Sequence, residues 1–196
     1  MIRNLSMERS TRPMAEIEII LPAIEAADSV LETEAGRFRI AGQHIPEKRV
    51  MADPAVLRDL VKSARAAAKN AHVPYSHFHV GAAVIMADDP AGAVITGANI
   101  ENASYGATIC GERNALHAAA ARGFRRIKFL ALSTADSLDG PLPDRSPCGI
   151  CRQVMREFID RDEAQGAALI LVDTGDADFT ADILDIDRLL PYGFRL

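Results

Sequence analysis

The sequence lacks an excess of basic residues. Its 196 residues include 22 lysines and arginines against 27 aspartates and glutamates, which gives a formal net charge of −5 and a pI near 5.5. Proteins that bind the phosphate backbone of nucleic acids usually have a cluster of basic residues on their surface. We therefore expect a small-molecule substrate and no nucleic-acid partner.

The sequence also lacks long apolar runs. No stretch reaches the roughly 18 apolar residues of a membrane-spanning helix, and no basic segment leads into an apolar signal-peptide core at the N-terminus. These absences predict a soluble, cytoplasmic protein with no membrane partner. With 48% hydrophobic residues, the chain can bury one core but gives no sign of two full catalytic domains.

Cysteine is scarce, and its positions are informative. The chain has three cysteines, an odd number that cannot form a complete set of disulfides. All of them fall in two segments, Cys110-Gly111-Glu112 and Pro147-Cys148-Gly149-Ile150-Cys151. Three thiolates can hold a zinc ion and leave its fourth position open for a water, whose pKa the metal lowers toward about 7. We therefore predict a catalytic Zn2+ site with Cys110, Cys148 and Cys151 as ligands.

Glu112 is the predicted proton carrier of this site. It lies two residues from a ligand, and its hard carboxylate competes poorly with thiolate for zinc, so it can take the water's proton and pass it on. The alternative is a closed structural zinc site, but that normally takes a fourth Cys or His, and none stands at a matching spacing. Taken alone, Glu112 could also be an ordinary first-turn helix glutamate.

Arg113 and Arg152 each follow a motif residue directly. Three thiolates leave the zinc unit with a net negative charge, which makes a bound water less acidic unless nearby cations compensate. We expect the two arginines to tune this charge, although a solvated helix arginine is an equally good interpretation of each.

Residues 1–50 differ from the rest of the chain, and we interpret them as an N-terminal extension to a catalytic domain at residues 51–196. The extension is rich in charge and has no persistent helical stripe. Residues 16–19 and 37–40 alternate polar and apolar side chains at the strand period. The extension is therefore expected to add a small hairpin or edge strand, to modify subunit contacts, or to be disordered.

The catalytic domain begins with a predicted helix at residues 53–70, because Asp53-Pro54 is a typical helix start and apolar residues follow at helical spacing. The apolar stretches 80–86 and 93–98 flank a turn and predict a β-hairpin. Further helices are predicted at 110–122 and 148–159, buried strands at 127–133 and 168–172, and a short turn at 187–196. This alternation favours an α/β fold, a three-layer αβα sandwich around a mixed β-sheet.

Five segments of the chain carry a family resemblance. They are residues 74–83 (PYSHFHVGAA), 97–106 (GANIENASYG), 108–113 (TICGER), 146–153 (SPCGICRQ) and 189–194 (LLPYGF). In them the chain resembles the homotetrameric, three-cysteine zinc cytidine deaminases of nucleotide salvage. The resemblance covers about residues 53–196 and says nothing about the extension. It implies a cytidine deaminase-like fold and hydrolytic removal of the 4-amino group of cytidine and deoxycytidine.

The resemblance also implies which residues bind the nucleoside. Asn99 and Glu101 match the pair that holds a ribose hydroxyl, and two residues apart on an extended segment they face the same side. Phe78 matches the aromatic residue that packs on the pyrimidine. Backbone atoms of Gly111 would touch the pyrimidine edge.

A homotetramer with shared active sites is a further implication of the resemblance. Ala103 and Tyr105 match residues contributed by a neighbouring subunit, and Phe194 matches a tail aromatic that closes another subunit's site. In this family pattern Glu112 would protonate N3, take the proton of the attacking water and deliver a proton to the departing ammonia.

Gly111 departs from the family pattern, in which alanine is common at this position. We expect loss of the methyl to enlarge the pocket floor and to loosen the helix start, so deamination of modified pyrimidine nucleosides or related bases is an alternative function. A deaminase of polynucleotides or tRNA is disfavoured, because those relatives generally use histidine as the first ligand. The alternative from another class is a noncatalytic, zinc-stabilised interaction protein.

Overall fold

A long two-stranded ribbon precedes the first helix. The computed structural model of the protein describes residues 15–159 and 168–195. The strands of the ribbon are β1 (Ile17–Leu21), β2 (Ile24–Ala26), β3 (Ser29–Thr33), β4 (Gly36–Ile40), β5 (Gln43–Ile45) and β6 (Lys48–Ala52). They pair antiparallel in nested order, β1 with β6, β2 with β5 and β3 with β4. We call this ribbon, residues 17–52, the arm.

The two segments of the arm that alternate polar and apolar residues lie in different strand pairs. Residues 16–19 and 37–40 both contribute to strands, but β1 pairs with β6 and β4 pairs with β3. The turn at Glu34–Ala35 makes β3 and β4 neighbours and sets the nested order of the outer pairs, which periodicity alone does not reveal. Within the described residues, the arm adds no strand to the central sheet. The predicted boundary between residues 50 and 51 falls inside β6, and the division into extension and catalytic domain stays a prediction.

The first helix, α1 (Pro54–Ala68), confirms the helix predicted at residues 53–70. The carboxylate of Asp53 caps it by accepting a hydrogen bond from the backbone N–H of Ala55 at 2.8 Å. Pro54 occupies the first turn, where a missing N–H costs nothing. The apolar stripe that predicted the helix is buried, and it includes Leu57, Leu60, Val61 and Ala64.

The remaining elements form a mixed sheet and the helices that cover it. In chain order they are β7 (Val80–Met86), β8 (Val94–Ala98), α2 (Gly111–Ala121), β9 (Ile127–Thr134), α3 (Leu142–Arg145), α4 (Gly149–Ile159), β10 (Leu169–Asp173), β11 (Ala181–Leu184) and α5 (Ile186–Leu189). The strand order is β11-β10-β9-β7-β8. Only β9 and β10 run parallel among these neighbours. The predicted hairpin and mixed sheet are confirmed.

Each face of the sheet packs against helices. On one face, α1 and the base of the arm cover a cluster that includes Leu60, Ala83, Ala131 and Leu171. On the other face, α2, α4 and α5 cover a cluster that includes Leu116, Leu130, Met155 and Ile170. Because β7, β9 and β10 are buried on both faces, their sequences are nearly continuous apolar runs. The three-layer αβα sandwich is confirmed.

The C-terminal region contains two elements that sequence reasoning missed. Strand β11 pairs antiparallel with β10 at the sheet edge, and all its residues are half-buried, so it shows no alternation that would predict a strand. Helix α5 begins after Asp185, whose carboxylate accepts a hydrogen bond from the backbone N–H of Arg188 at 2.8 Å. The predicted turn at 187–196 is therefore wrong for residues 187–189, which are helical.

Candidate metal centre and active site

The three cysteine sulfurs converge where two helices begin. Cys110 precedes α2, Cys148 precedes α4, and Cys151 lies in the first turn of α4. The Sγ atom of Cys148 lies 3.9 Å from that of Cys110 and 3.5 Å from that of Cys151, and all three lie within 4.8 Å of one another. Sulfurs sharing a tetrahedral zinc at Zn–S distances of about 2.3 Å lie about 3.8 Å apart. The spacing fits one zinc ion held by these side chains.

The protonation of the cysteines also fits a bound cation. Hydrogen bonding to Cys151, to Arg113 and to Cys148 lowers the pKa of Cys110 to about 5. Hydrogen bonding to Cys110 and then burial raise the pKa of Cys151. Three sulfurs this close cannot all ionise without a compensating positive charge. A divalent cation supplies that charge, and the N-termini of α2 and α4 add their positive dipole ends.

Glu112 lies in the first turn of α2, beside the sulfurs. Its side chain is buried, and among the described residues its Oε2 atom has no hydrogen-bond partner. Burial raises the pKa of the carboxyl group to about 7, and the neighbouring Cys110 adds to the shift. A buried carboxyl oxygen without a partner is costly unless a bound molecule satisfies it. The position suits proton exchange with a molecule held at the sulfurs, which remains the predicted role of Glu112.

The two arginines of the motifs have different surroundings. Arg113 donates to the carbonyl of Thr108 at 3.1 Å, and its Nη2 atom lies 3.8 Å from Sγ of Cys110, as charge tuning requires. Arg152 donates to the carbonyls of Pro147 and Leu189 at 2.7 and 2.8 Å, and to the Ser146 hydroxyl at 2.9 Å. Arg152 therefore ties the loop before Cys148 to α5. A charge-tuning role stays a prediction for both.

Asn99 holds the backbone on both sides of His79. Its Oδ1 atom accepts a hydrogen bond from the N–H of Val80 at 2.8 Å, and its Nδ2 atom donates to the carbonyl of Phe78 at 2.7 Å. Asp136 completes this clamp, because its carboxylate accepts from the backbone N–H of His79 at 2.5 Å and lies 3.0 Å from the ring Nδ1. Sequence reasoning assigned no role to His79 or Asp136, which are 57 residues apart.

Glu101 holds the preceding part of the same loop. Its Oε2 atom accepts hydrogen bonds from the backbone N–H groups of Tyr75 and Ser76 at 2.9 and 3.2 Å. Hydrogen bonds from the Ser76 hydroxyl and from these amides hold the pKa of Glu101 below its usual value. A carboxylate offers about four acceptor sites, so this one can also accept from a substrate hydroxyl. The Asn99 amide offers two acceptor sites and two donors, and its backbone contacts use one of each, so it can also bind a substrate hydroxyl.

An open cleft of about 380 Å³ lies beside Glu101. Tyr75, Ser76, Tyr105 and Thr108 line the rest of it. A cleft of this size falls in the range of small-molecule sites. Sequence reasoning did not single out Tyr75, Ser76 or Thr108, although all three fall in segments that carry the resemblance.

The remaining predicted substrate residues are distributed around the molecular surface. Phe78 is half-buried in the loop before β7, and Ala103 is exposed. Tyr105 is 79% exposed, and its ring meets that of Tyr75 edge-on with centroids 6.3 Å apart. Phe194 is 67% exposed, while its backbone exchanges hydrogen bonds of 3.2 and 2.9 Å with the amide of Gln153 in α4. Substrate contacts of these residues stay predictions.

Gly111 does not enlarge the pocket floor, contrary to the sequence-based expectation. A Cβ atom at this position would lie 3.0 Å from the carbonyl oxygen of Val80 and 3.3 Å from that of Gly97. The absent methyl therefore lies between α2 and the β7–β8 hairpin, where it allows the helix to approach the sheet. A backbone contact of Gly111 with the pyrimidine stays a prediction.

Comparison with protein families agrees with this geometry. Residues 55–163 match the model described as the cytidine and deoxycytidylate deaminase zinc-binding region. The chain belongs to this family. The matched range contains all three cysteines and Glu112, and the sulfur cluster fits the zinc-binding region of this family, whose cofactor is Zn2+.

Individual relatives extend this result. A cytidine deaminase of Halalkalibacterium halodurans is 50% identical over 103 residues, which cover 53% of this chain and 72% of that protein. A cytidine deaminase of Mycoplasma genitalium is 33% identical over 138 residues, 69% of this chain and 93% of that protein. The crystal structure of a cytidine deaminase from Burkholderia pseudomallei shares 36% identity with a TM-score of 0.58, covering 69% of this chain and 97% of that one.

Proposed function

We propose that this chain catalyses the zinc-dependent hydrolytic deamination of cytidine and deoxycytidine in pyrimidine salvage. The observation that carries the proposal is the Oε2 atom of Glu112, which is buried beside three converging sulfurs and has no partner among the described residues. Similarity to cytidine deaminases over nearly their whole length supports the choice of substrate.

Glu112 moves the protons of the reaction. Zinc held by Cys110, Cys148 and Cys151 would supply a Lewis acid and would lower the pKa of a water. Glu112 takes a proton from the attacking water as the water oxygen bonds to C4 of the pyrimidine, and it gives that proton to N3. The second water proton passes through Glu112 to the 4-amino nitrogen, the C4–N bond breaks, and ammonia leaves. One water is consumed, one ammonia is released, and Glu112 ends as it began.

The residues that hold the loop before β7 also position the nucleoside. Glu101 and Asn99 bind a ribose hydroxyl with the hydrogen-bonding capacity that their backbone contacts leave unused. Those backbone contacts hold both side chains in place before substrate arrives, which lowers the entropy cost of binding. Phe78 packs on the pyrimidine, and the backbone of Gly111 meets its edge.

The active enzyme is a homotetramer with shared sites. Ala103, Tyr105 and Phe194 reach a neighbouring subunit's site, and the exposure of Tyr105 and Phe194 in a single chain supports this arrangement. A species that is monomeric by sedimentation and fully active would contradict it.

The protein acts in the cytoplasm. Within residues 15–159 and 168–195, no helix is long and apolar enough to cross a membrane. A reducing compartment keeps the three cysteines available as zinc ligands.

The test is conversion of cytidine, followed by ultraviolet absorbance, with the wild type and Glu112→Gln. We expect wild-type turnover, and a loss of at least about 100-fold in Glu112→Gln because a general acid–base is worth that much. Zinc content should stay unchanged in the variant, since Glu112 is not a ligand. Glu16→Gln, at an exposed glutamate directly before the arm, is the control and should keep full activity.

Three outcomes would overturn the proposal. A wild type that holds zinc but leaves cytidine untouched would favour a noncatalytic interaction protein. Deamination of single-stranded DNA or tRNA without cytidine turnover would favour a polynucleotide deaminase. Faster turnover of cytosine, blasticidin or a modified pyrimidine nucleoside than of cytidine would assign a different substrate.

A further inference from the structure

The loop before β7, residues 74–79, is held through its backbone amides. The N–H groups of residues 75–80 all donate hydrogen bonds. Two of these bonds are local, to acceptors two and four residues earlier in the chain. The other four end on the side chains of Glu101, Asn99 and Asp136. The loop has no helix or strand of its own, so these bonds fix its shape.

The backbone of His77 shows that the loop is held in one conformation. Its φ angle is 58°, in the left-handed region that residues other than glycine rarely adopt. Such a conformation persists where surrounding contacts determine it, and it is frequent at ligand sites. Here Glu101 holds the residues before His77, while Asn99 and Asp136 hold the residues after it. The loop is therefore ordered before any ligand binds.

Asp136 is the one side chain of these three that has no role in the proposed reaction, in which Asn99 and Glu101 bind the ribose. Its Oδ2 atom accepts a hydrogen bond from the backbone N–H of His79 at 2.5 Å and lies 3.0 Å from the ring Nδ1. The N–H of Ala135 donates to the carbonyl of His79 at 2.9 Å. Two consecutive residues thus hold both the N–H and the C=O of His79.

The contact with His79 is the main contribution of the Asp136 side chain. This side chain is 43% exposed, so it fills no space in the core. The hydrogen bond from the backbone N–H of His79 lowers the pKa of Asp136 below its usual value, despite slight burial. An ionised carboxylate binds an amide more strongly than a neutral acceptor does.

The segment that carries Asp136 is itself fixed to the sheet. Arg145 is buried and donates to the carbonyls of Gly140 and Asp173, each at 2.9 Å. The same segment leads into Cys148, one of the three clustered cysteines. Asp136 therefore joins the loop before β7 to the stretch of chain that leads to the metal centre.

We propose that Asp136 is a positioning residue for the nucleoside: by holding His79, it sets where the neighbouring Phe78 meets the pyrimidine. The inference rests on the proposed function, because it requires Phe78 to contact the base. The carbonyl of Phe78 is held by Asn99 and the next amide by Asp136, so these two contacts direct the ring. Loss of Asp136 lets the ring shift, which weakens binding, while Glu112 on α2 keeps its place.

The first test measures conversion of cytidine by the full chain with bound zinc. Asp136→Ala should raise KM at least about 10-fold and change kcat less than about 3-fold. Asp136→Asn keeps an oxygen that can accept from the amide of His79, so its KM should stay within about 3-fold of wild type. Asp139→Ala is the matched control, because it removes an exposed carboxylate from the same segment. It should leave both constants unchanged.

A double-mutant cycle asks whether Asp136 acts through Phe78. Phe78→Ala removes the ring, so the further substitution Asp136→Ala should then raise KM less than about 2-fold. If the effects of the two substitutions on KM simply multiply, Asp136 acts on something other than Phe78, and the inference is wrong.

Amide hydrogen exchange, measured by mass spectrometry without substrate, tests the structural step. Asp136→Ala should speed exchange in the peptide that covers residues 75–80 and leave exchange in α1 unchanged. The variant is expected to fold, because water can take the place of a carboxylate that is 43% exposed. If it does not fold, Asp136→Ser gives the same comparison, since its hydroxyl stands one bond short of the carboxylate oxygens.

Three results would overturn the inference. An unchanged KM in Asp136→Ala, or an equal rise in Asp136→Ala and Asp136→Asn, would mean that the bond to the amide of His79 does not position the nucleoside. A fall in kcat with KM unchanged would mean that Asp136 affects the chemical step. All three require a wild type that converts cytidine. A wild type that leaves cytidine untouched would overturn the proposed function and the inference with it, so the two failures are distinguishable.

Discussion

Gly97 lies against the backbone of Ala115. A Cβ atom on Gly97 would stand 2.4 Å from the backbone nitrogen of Ala115 and 2.5 Å from the carbonyl oxygen of Gly111. Helix α2 therefore rests on β8 at direct backbone contact, without side chains between them. This contact sets the height above the sheet of the whole first turn of α2, and with it the positions of Cys110 and Glu112.

Replacing Gly97 with alanine should force α2 away from the sheet. Because the clash is with backbone atoms that cannot rotate away, we expect the free energy of unfolding to fall by at least about 2 kcal/mol. Displacement of Cys110 should also lower the zinc content of the purified protein. Gly106→Ala is the control, since a Cβ there meets nothing within 4 Å. Denaturant unfolding and zinc analysis check both, and equal stability of the two variants would contradict this account.

Asn99 should affect both stability and substrate binding. Asn99→Asp removes the donor to the carbonyl of Phe78 and puts a charge against that oxygen, which should cost about 1–3 kcal/mol of unfolding free energy. The loosened loop should also raise KM for cytidine more than it lowers kcat. Asn102→Asp is a suitable control. The side chain of exposed Asn102 only accepts a hydrogen bond, through its Oδ1 atom from the backbone N–H of Ser104, and aspartate can accept the same bond. An unchanged KM in Asn99→Asp would argue against a positioning role.

Acid should weaken the contact that holds α5 to α4 and the arm. Partial burial by itself raises the pKa of Asp187, but hydrogen bonds from Lys48 and Arg156 outweigh it and bring the pKa below the usual 3.8. A depressed carboxyl pKa stabilises the fold fully above the unfolded-state value and ceases to do so as pH falls through the folded-state value. Asp187→Asn should therefore be less stable than wild type at pH 7 by about 2 kcal/mol or more, since Arg156 is buried.

The pH dependence distinguishes this pair from an ordinary surface contact. The stability difference between wild type and Asp187→Asn should narrow as pH falls below about 4. Asp59→Asn, which breaks the exposed Lys62–Asp59 pair, should change stability by less than about 1 kcal/mol at either pH. A constant difference for Asp187→Asn between pH 7 and pH 3 would refute the assignment.

Removal of zinc should destabilise the protein as well as inactivate it. The metal joins Cys110 at the start of α2 to Cys148 and Cys151 at the start of α4, and binding that occurs only in the folded state adds to its stability. Chelation should release about one zinc per chain and lower the melting temperature. Cys151→Ser should behave like the chelated wild type and respond little to chelator. If full loss of zinc left the melting temperature of the wild type unchanged, the metal would not stabilise the fold in this way.

The parts of the structure that sequence reasoning found are those specified locally. Asp53-Pro54 and the apolar stripe of α1, for example, lie close together in the sequence. The convergence of Cys110 with Cys148 was foreseeable across 38 residues only because a metal site needs at least three ligands.

What sequence reasoning missed depends on contacts between distant segments. The pairing of β1 with β6 depends on the register of the whole hairpin, which the sequence of either strand alone does not specify. The hydrogen bonds of Arg152 to the loop before Cys148 and to α5 require the folded backbone. The same holds for Gly111, where only the position of Val80 shows that the absent methyl faces the sheet.

Zinc K-edge X-ray absorption on the purified protein tests the central claim most directly. If three cysteines of one chain bind the zinc and Glu112 does not, we expect three sulfur atoms at about 2.3 Å and one lighter atom at about 2.0 Å from the metal. Glu112→Gln should give the same spectrum. A shell of four sulfurs, fewer than three sulfurs, or loss of the lighter neighbour in Glu112→Gln would contradict the account.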